Sequence, residues 1–198
     1  MNPEESLLKF KECKTLEEFL HLWSLFYENK IYIPTYNSKF LRSANKSKNK
    51  SENIAKFQKI TKAGIICLSS QSVIPGKQKG YITAYALQSS RSKLLEELNR
   101  YDGIVGLGCE IMDSNAFTTY VTYENVAVNE RRMNGKSVTS VGGGDPSLYN
   151  ILDREFSQCT QFINAENYFY LTIIAPHYAS SPDYCLNILE KSLQVFNF

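Results

Sequence analysis

K-A-G-I-I-C-L-S-S-Q-S-V-I-P-G-K-Q-K-G-Y-I-T-A-Y-A-L-Q, residues Lys62 to Gln88, is the stretch on which the reading of the chain turns. Gly64 is placed to stop a helix, since glycine takes the left-handed conformation that ends one. Ile65 to Leu68 is a short apolar run that reads as a buried strand. Polar Ser69, Ser70 and Gln71 follow at its exit. A Pro75-Gly76 loop carrying Lys77 and Lys79 then leads into a second strand, Tyr81 to Leu87. Strand, polar loop and strand in succession, after a helix, point to an α/β chain.

The flanking segments extend this pattern. Pro3 opens a first short helix to Cys13. Thr15 to Glu18 is a capping box, and Leu16, Phe19, Leu20, Trp23, Phe26 and Tyr27 then fall on one helical face. His21 lies off that stripe and reads as a solvated side chain. Ile31 to Tyr36 is β-prone but interrupted by Pro34. Ser43 to Ser51 mixes Lys, Asn and Ser without an apolar anchor and is expected to form a mobile loop. Residues 51 to 63 form a third helix with Ile54, Phe57 and Ile60 inward. Ser89 or Ser90 is expected to cap a fourth, burying Leu94, Leu95, Leu98 and Tyr101.

Ile104 to Ile111 and Phe117 to Val128 read as strands. The turn-forming Asp113-Ser114-Asn115 between them predicts an antiparallel pair. Asn129 to Lys136 is a polar excursion with an Asn134-Gly135 turn. Gly142-Gly143-Gly144-Asp145-Pro146 leads into a fifth helix, Tyr168 to Ala175 is a strongly apolar strand, and Ser181-Pro182-Asp183 opens a last helix with Leu186, Leu189, Leu193 and Phe196 inward. The expected fold class is α/β, with α+β as the alternative: a single domain over residues 1–198 with a mixed sheet of about five strands covered by helices. Residues 1–50 would be its helical N-terminal layer, ending in the Lys/Asn/Ser loop.

Composition limits the function. A net charge of +2 does not suit a polyelectrolyte binder, so nucleic acid is not an expected partner. No apolar stretch is long enough to span a membrane and no signal peptide is visible, which predicts a cytoplasmic protein. Five cysteines without a C-x-x-C pair suggest reduced thiols and no zinc site. No cofactor motif is legible. Self-association stays open.

Three stretches carry candidate chemistry. Ser69, Ser70 and Gln71 stand where strand exits of open α/β sheets hold ligands. Their bland reading is a strand end satisfying its own backbone. Gly142, Gly143 and Gly144 precede a helix whose N-terminal N–H groups suit an anion, with Arg131, Arg132 and Lys136 upstream. Asp145 opposes this as a competing negative cap, and neither phosphate-loop pattern is complete. His177 follows the apolar strand, where a general base can act on Ser70. No nucleophile elbow accompanies it.

The run from Thr61 to Gln71 resembles the N-x-x-G-F-x-T-x-x-S-Q-P core of an uncharacterised α/β domain family of actinobacteria and large DNA viruses. Gly64, Ser70, Gln71, Gln78 and Tyr81 carry the resemblance; Ser72 stands where the family has Pro, and Lys79 where it has Arg. The resemblance implies a compact α/β domain and no settled activity.

The leading expectation is a ligand-binding protein for a nucleotide or other phosphorylated small molecule, sequestering or regulatory in role. Ser69, Ser70, Gln71, Gln78, Lys79 and Tyr81 would contact the ligand, with Arg131, Arg132 and Gly142 to Gly144 on the anion. The alternatives are a hydrolase or nucleotide-processing enzyme using Ser70 and His177, and a protein–protein interaction module.

Overall fold

The computed structural model describes residues 2–32, 50–73, 80–110, 120–122, 130–133, 136–140, 162–164, 166–176 and 179–195. Of the expected features, the Lys/Asn/Ser loop up to residue 49, the Pro75-Gly76 loop, the glycine run, His177 and nearly all of the fifth helix fall outside them.

The first helices form as their sequences dictate. Helix α1 (Pro3–Glu12) is capped by Asn2, whose side chain accepts from the Glu5 N–H at 2.8 Å while Glu5 reaches back. Helix α2 (Leu16–Tyr27) carries the Thr15–Glu18 box. Two backbone N–H groups, of Lys14 and Thr15, hold the Glu18 carboxyl below its usual range. Phe19, Trp23 and Phe26 are fully buried on one stripe, and His21 is exposed as expected. Helix α3 (Lys50–Lys62) buries Phe57 and Ile60. It stops at Gly64, whose φ of +81° is open to glycine and strained for other residues.

Strands β1 (Ile66–Gln71), β2 (Tyr81–Leu87), β3 (Val105–Glu110) and β7 (Tyr168–Ile174) form one sheet in the order β1-β2-β7-β3. A second sheet, β4-β6-β5, comprises β4 (Tyr120–Thr122), β5 (Glu130–Met133) and β6 (Lys136–Ser140). Helix α4 (Arg91–Leu98) follows a 3₁₀ turn, Gln88–Ser90, and helix α5 (Tyr184–Ser192) follows β7. The chain thus combines helices with β-sheet.

Three expectations are corrected. The larger sheet has four strands and every described ladder is antiparallel, in place of a mixed sheet of about five. Among the described residues β3 does not pair with β4: it pairs with β7, and β4 with β6. Asp113-Ser114-Asn115 has turn chemistry, but a better partner for β3 is the apolar β7, buried at all seven positions. Ser90 is no side-chain cap either. Its hydroxyl donates to the Leu87 carbonyl at 2.8 Å and closes the 3₁₀ turn.

The two faces of the sheet follow from the ladder registers, because opposed residues share a face. One carries Ile82, Ala84 and Ala86 of β2 opposite Ile173, Leu171 and Phe169 of β7. Helix α4 lies on this face. A Cβ added at Gly108 would stand 2.9 Å from Leu95 Cδ1 and 3.0 Å from the Phe169 ring, so glycine lets helix and strand approach without pushing these side chains aside. The Arg91 guanidinium sits 5.5 Å from the Phe169 ring centroid and donates to the Gly108 carbonyl.

Side chains also occupy both outer edges of the sheet. Tyr27 receives a hydrogen bond from Trp23 Nε1 and donates to the Cys67 carbonyl of β1. Asn99 bonds both the N–H and the carbonyl of Gly106 in β3. Backbone groups held this way are not free to recruit another strand.

Candidate functional site

The sequence candidates divide by position. Ser69, Ser70 and Gln71 lie within β1 rather than beyond its end, opposite Thr83, Ile82 and Tyr81. The strand is longer than its apolar run suggests because β2 extends to Tyr81 and pairs with it throughout. Arg131 and Arg132 belong to β5 in the smaller sheet, opposite Val138 and Ser137. Gln78, Lys79, Gly142, Gly143, Gly144 and His177 lie outside the described residues.

The register places one end of the larger sheet under close definition. Gln71 opposes Tyr81, Tyr81 opposes Ile174, and Ile174 opposes Val105, so four strands meet in one row. Two backbone bonds tie the connecting segments together. The Ala175 N–H donates to Gly80 at 2.9 Å, and the Val73 N–H donates to Pro182 at 3.0 Å. Tyr81 is half-buried and packs with Ile174 and Leu107 as a small cluster separate from the main core.

A bulge decides which candidates share a face. Cys67 opposes Ala84 but Ser69 opposes Thr83, so Leu68 is an extra residue in β1. By register Ser69 and Gln71 therefore fall on the face of Thr83 and Tyr81, and Ser70 falls on the helix-packed face with Ile82.

The next row inward is Ser69, Thr83, Thr172 and Leu107, three hydroxyl residues side by side across three strands. Beyond it Tyr85 and Tyr170 meet edge to face at 6.1 Å. Thr83 and Thr172 are fully buried, and Thr172 Oγ1 has no hydrogen-bond partner. Sequence reading missed Thr83 and Thr172. Their signal is the period-two alternation Tyr81, Thr83, Tyr85 and Tyr168, Tyr170, Thr172, which puts polar-tipped side chains on one face of apolar strands.

At the other end of the sheet a cleft of about 310 Å³ opens between Leu16, Leu87, Ser89, Phe162, Glu166 and Asn167. None of the sequence candidates lines it. Cys13, Cys67 and Cys185 are free, buried thiols. Burial raises all three, Cys185 to about 12, so they stay protonated at neutral pH and are poor nucleophiles. Among the described residues no group of His, Cys, Asp and Glu could hold a metal ion, and no helix is long and apolar enough to cross a membrane.

Comparison with protein-family models and with curated proteins gives no match. The site therefore stands on its geometry alone.

Proposed function

We propose that this protein binds a small phosphorylated molecule, a nucleotide in the leading case, at the sheet end where β1 finishes, β2 starts and β7 finishes. The supporting observation is the row Gln71–Tyr81–Ile174, flanked by the backbone bonds that join residues 73 to 182 and 80 to 175. A half-buried tyrosine at the edge of a fixed backbone frame suits a ligand that stacks on its ring and hydrogen-bonds its hydroxyl. In this reading Gln78 and Lys79, next to Gly80, meet the polar and anionic parts of the ligand. Arg131, Arg132, Gly142, Gly143 and Gly144 are further candidates for the anion.

Binding without turnover accounts for the arrangement better than hydrolysis. Ser70 is assigned by register to the face opposite Tyr81, and the described thiols are kept protonated by burial. The role that follows is sequestering or regulatory, in a cytoplasmic setting.

The test is a thermal-shift panel of nucleotides and sugar phosphates on the wild-type chain and on Lys79→Ala. A ligand at a hundredfold excess over its Kd stabilises by about 2.7 kcal/mol, a shift easily read. The expected result is at least one phosphorylated probe that raises the melting temperature of the wild type and raises it less in Lys79→Ala. A panel that moves nothing ends this reading.

A further inference from the structure

A cleft that the phosphorylated-ligand reading does not use opens at the far end of the sheet, where β2 finishes and β7 starts. Three half-buried apolar side chains from separate segments form its walls: Leu16 at the start of α2, Leu87 at the end of β2 and Phe162 ahead of β7. The Phe162 ring centroid lies 6.4 Å from that of the fully buried Phe19. Ser89, Glu166 and Asn167 complete the lining, and all three are exposed. At about 310 Å³ the volume lies at the small end of the range for ligand clefts.

Each wall is fixed by a device of its own. The Thr15–Glu18 box sets the start of α2 at Leu16. Leu87 packs where Gly64 leaves room, since a Cβ there would stand 2.5 Å from Leu87 Cδ1. The Asn164 side chain accepts from the N–H groups of Glu166 and Asn167 at 3.1 and 3.0 Å, and the Gln88 N–H donates to the Asn167 carbonyl at 2.8 Å. The cleft is thus preformed, so an occupant does not have to order it at a cost in affinity.

Its electrostatics are one-sided. Among the described residues Glu166 is the only charged one in the lining, and its carboxylate meets no hydrogen-bond or ion-pair partner. Arg91, two residues past Ser89, is turned to the Gly108 carbonyl and the Phe169 ring. An anion here would face a carboxylate and no counter-charge. A cation on an apolar body is complementary at both ends. Its body replaces water against Leu16, Leu87 and Phe162, and its N–H groups meet Glu166, with the Asn167 amide oxygen as a further acceptor.

We infer that this cleft is a second binding site, for a small organic ammonium ion: a primary amine on a single ring or a short branched chain. It stands apart from the sheet end assigned to the phosphorylated ligand and does not rest on that assignment.

The experiment is a ligand-observed NMR titration of the full chain at low salt with three probes of similar shape: phenethylammonium, phenethyl alcohol and phenylacetate. The variants are Glu166→Gln, which removes the charge, and Asn167→Asp, which adds one; both positions are exposed, and melting curves establish that each variant folds. The expected result is that phenethylammonium binds the wild type at least about fivefold more tightly than phenylacetate. Its binding weakens about threefold in Glu166→Gln, tightens about threefold in Asn167→Asp, and loses this dependence as salt rises, as an exposed ion pair requires. Phenethyl alcohol or phenylacetate binding as tightly as the amine overturns the inference. So does amine binding that Glu166→Gln leaves unchanged, or a wild type that the amine does not bind. The two sites are told apart by Lys79→Ala, which should leave amine binding as it is. A nucleotide that displaces the amine would make them one site and would also overturn the inference, whereas a failed nucleotide panel leaves it standing.

Discussion

The two faces of the four-stranded sheet both bury side chains and are built from different chemistry. On one, Ile82, Ala84 and Ala86 oppose Ile173, Leu171 and Phe169, and α4 presses close enough that a side chain at Gly106 or Gly108 would have to displace its leucines. On the other, Tyr81, Thr83 and Tyr85 oppose Ile174, Thr172 and Tyr170, with Tyr168 in the next position along β7. Apolar burial accounts for the first face fully, as transfer from water plus close packing. It does not account for the second, where hydroxyls are buried that a packing role would replace with methyl groups. The difference teaches that burial alone does not mark a core. The polarity of what is buried is what tells the two faces apart.

The largest expected effect tests the supporting face. Leu171→Ala removes a fully buried side chain from the strand at the centre of the sheet and should cost about 2–5 kcal/mol in urea unfolding. A loss below the range expected for a well-packed leucine would show that this face is looser than its burial implies. Next, Gly108→Ala drives a methyl group against Leu95 and Phe169 and should cost about 1–3 kcal/mol by the same measurement. An unchanged midpoint would mean that α4 does not lie on β3 this closely.

The smallest effect belongs to the other face. Tyr168 is fully buried, its hydroxyl has no partner, and burial pushes its ionisation well above the usual tyrosine range. Tyr168→Phe should leave stability within about 1 kcal/mol of wild type or raise it, since the desolvated hydroxyl contributes no bond to lose. A clear destabilisation would show that this hydroxyl is satisfied in solution, and would erase the contrast between the faces at that position.

Local features of the fold were legible and long-range ones were not. The Thr15–Glu18 box, the Phe19–Trp23–Phe26 stripe and the stop at Gly64 depend on residues within a few positions of one another, so the sequence carries them directly. The partner of β3 depends on a segment about sixty residues away, and the turn signal at Asp113 to Asn115 pointed elsewhere. The bulge at Leu68 has no composition cue, yet it decides that Ser69 and not Ser70 joins Thr83 and Thr172. The polar run of β1 was therefore visible as a candidate while its facing was not. Thr83 and Thr172 escaped notice because each is ordinary in its own strand and becomes a row only when three strands are set in register.

The position of β7 also has a consequence in time. It lies between β2 and β3 but is the last of the four strands to be synthesised, about sixty residues after β3. At a ribosomal pace of roughly 5–20 residues per second, β3 waits several seconds for its neighbour, while β1 and β2 can already form a hairpin. During that interval Asn99 and Arg91, close in sequence to β3, are the side chains at hand to occupy its backbone. The same contacts that close the edge of the finished sheet can thus shield a nascent strand from pairing with a neighbouring chain.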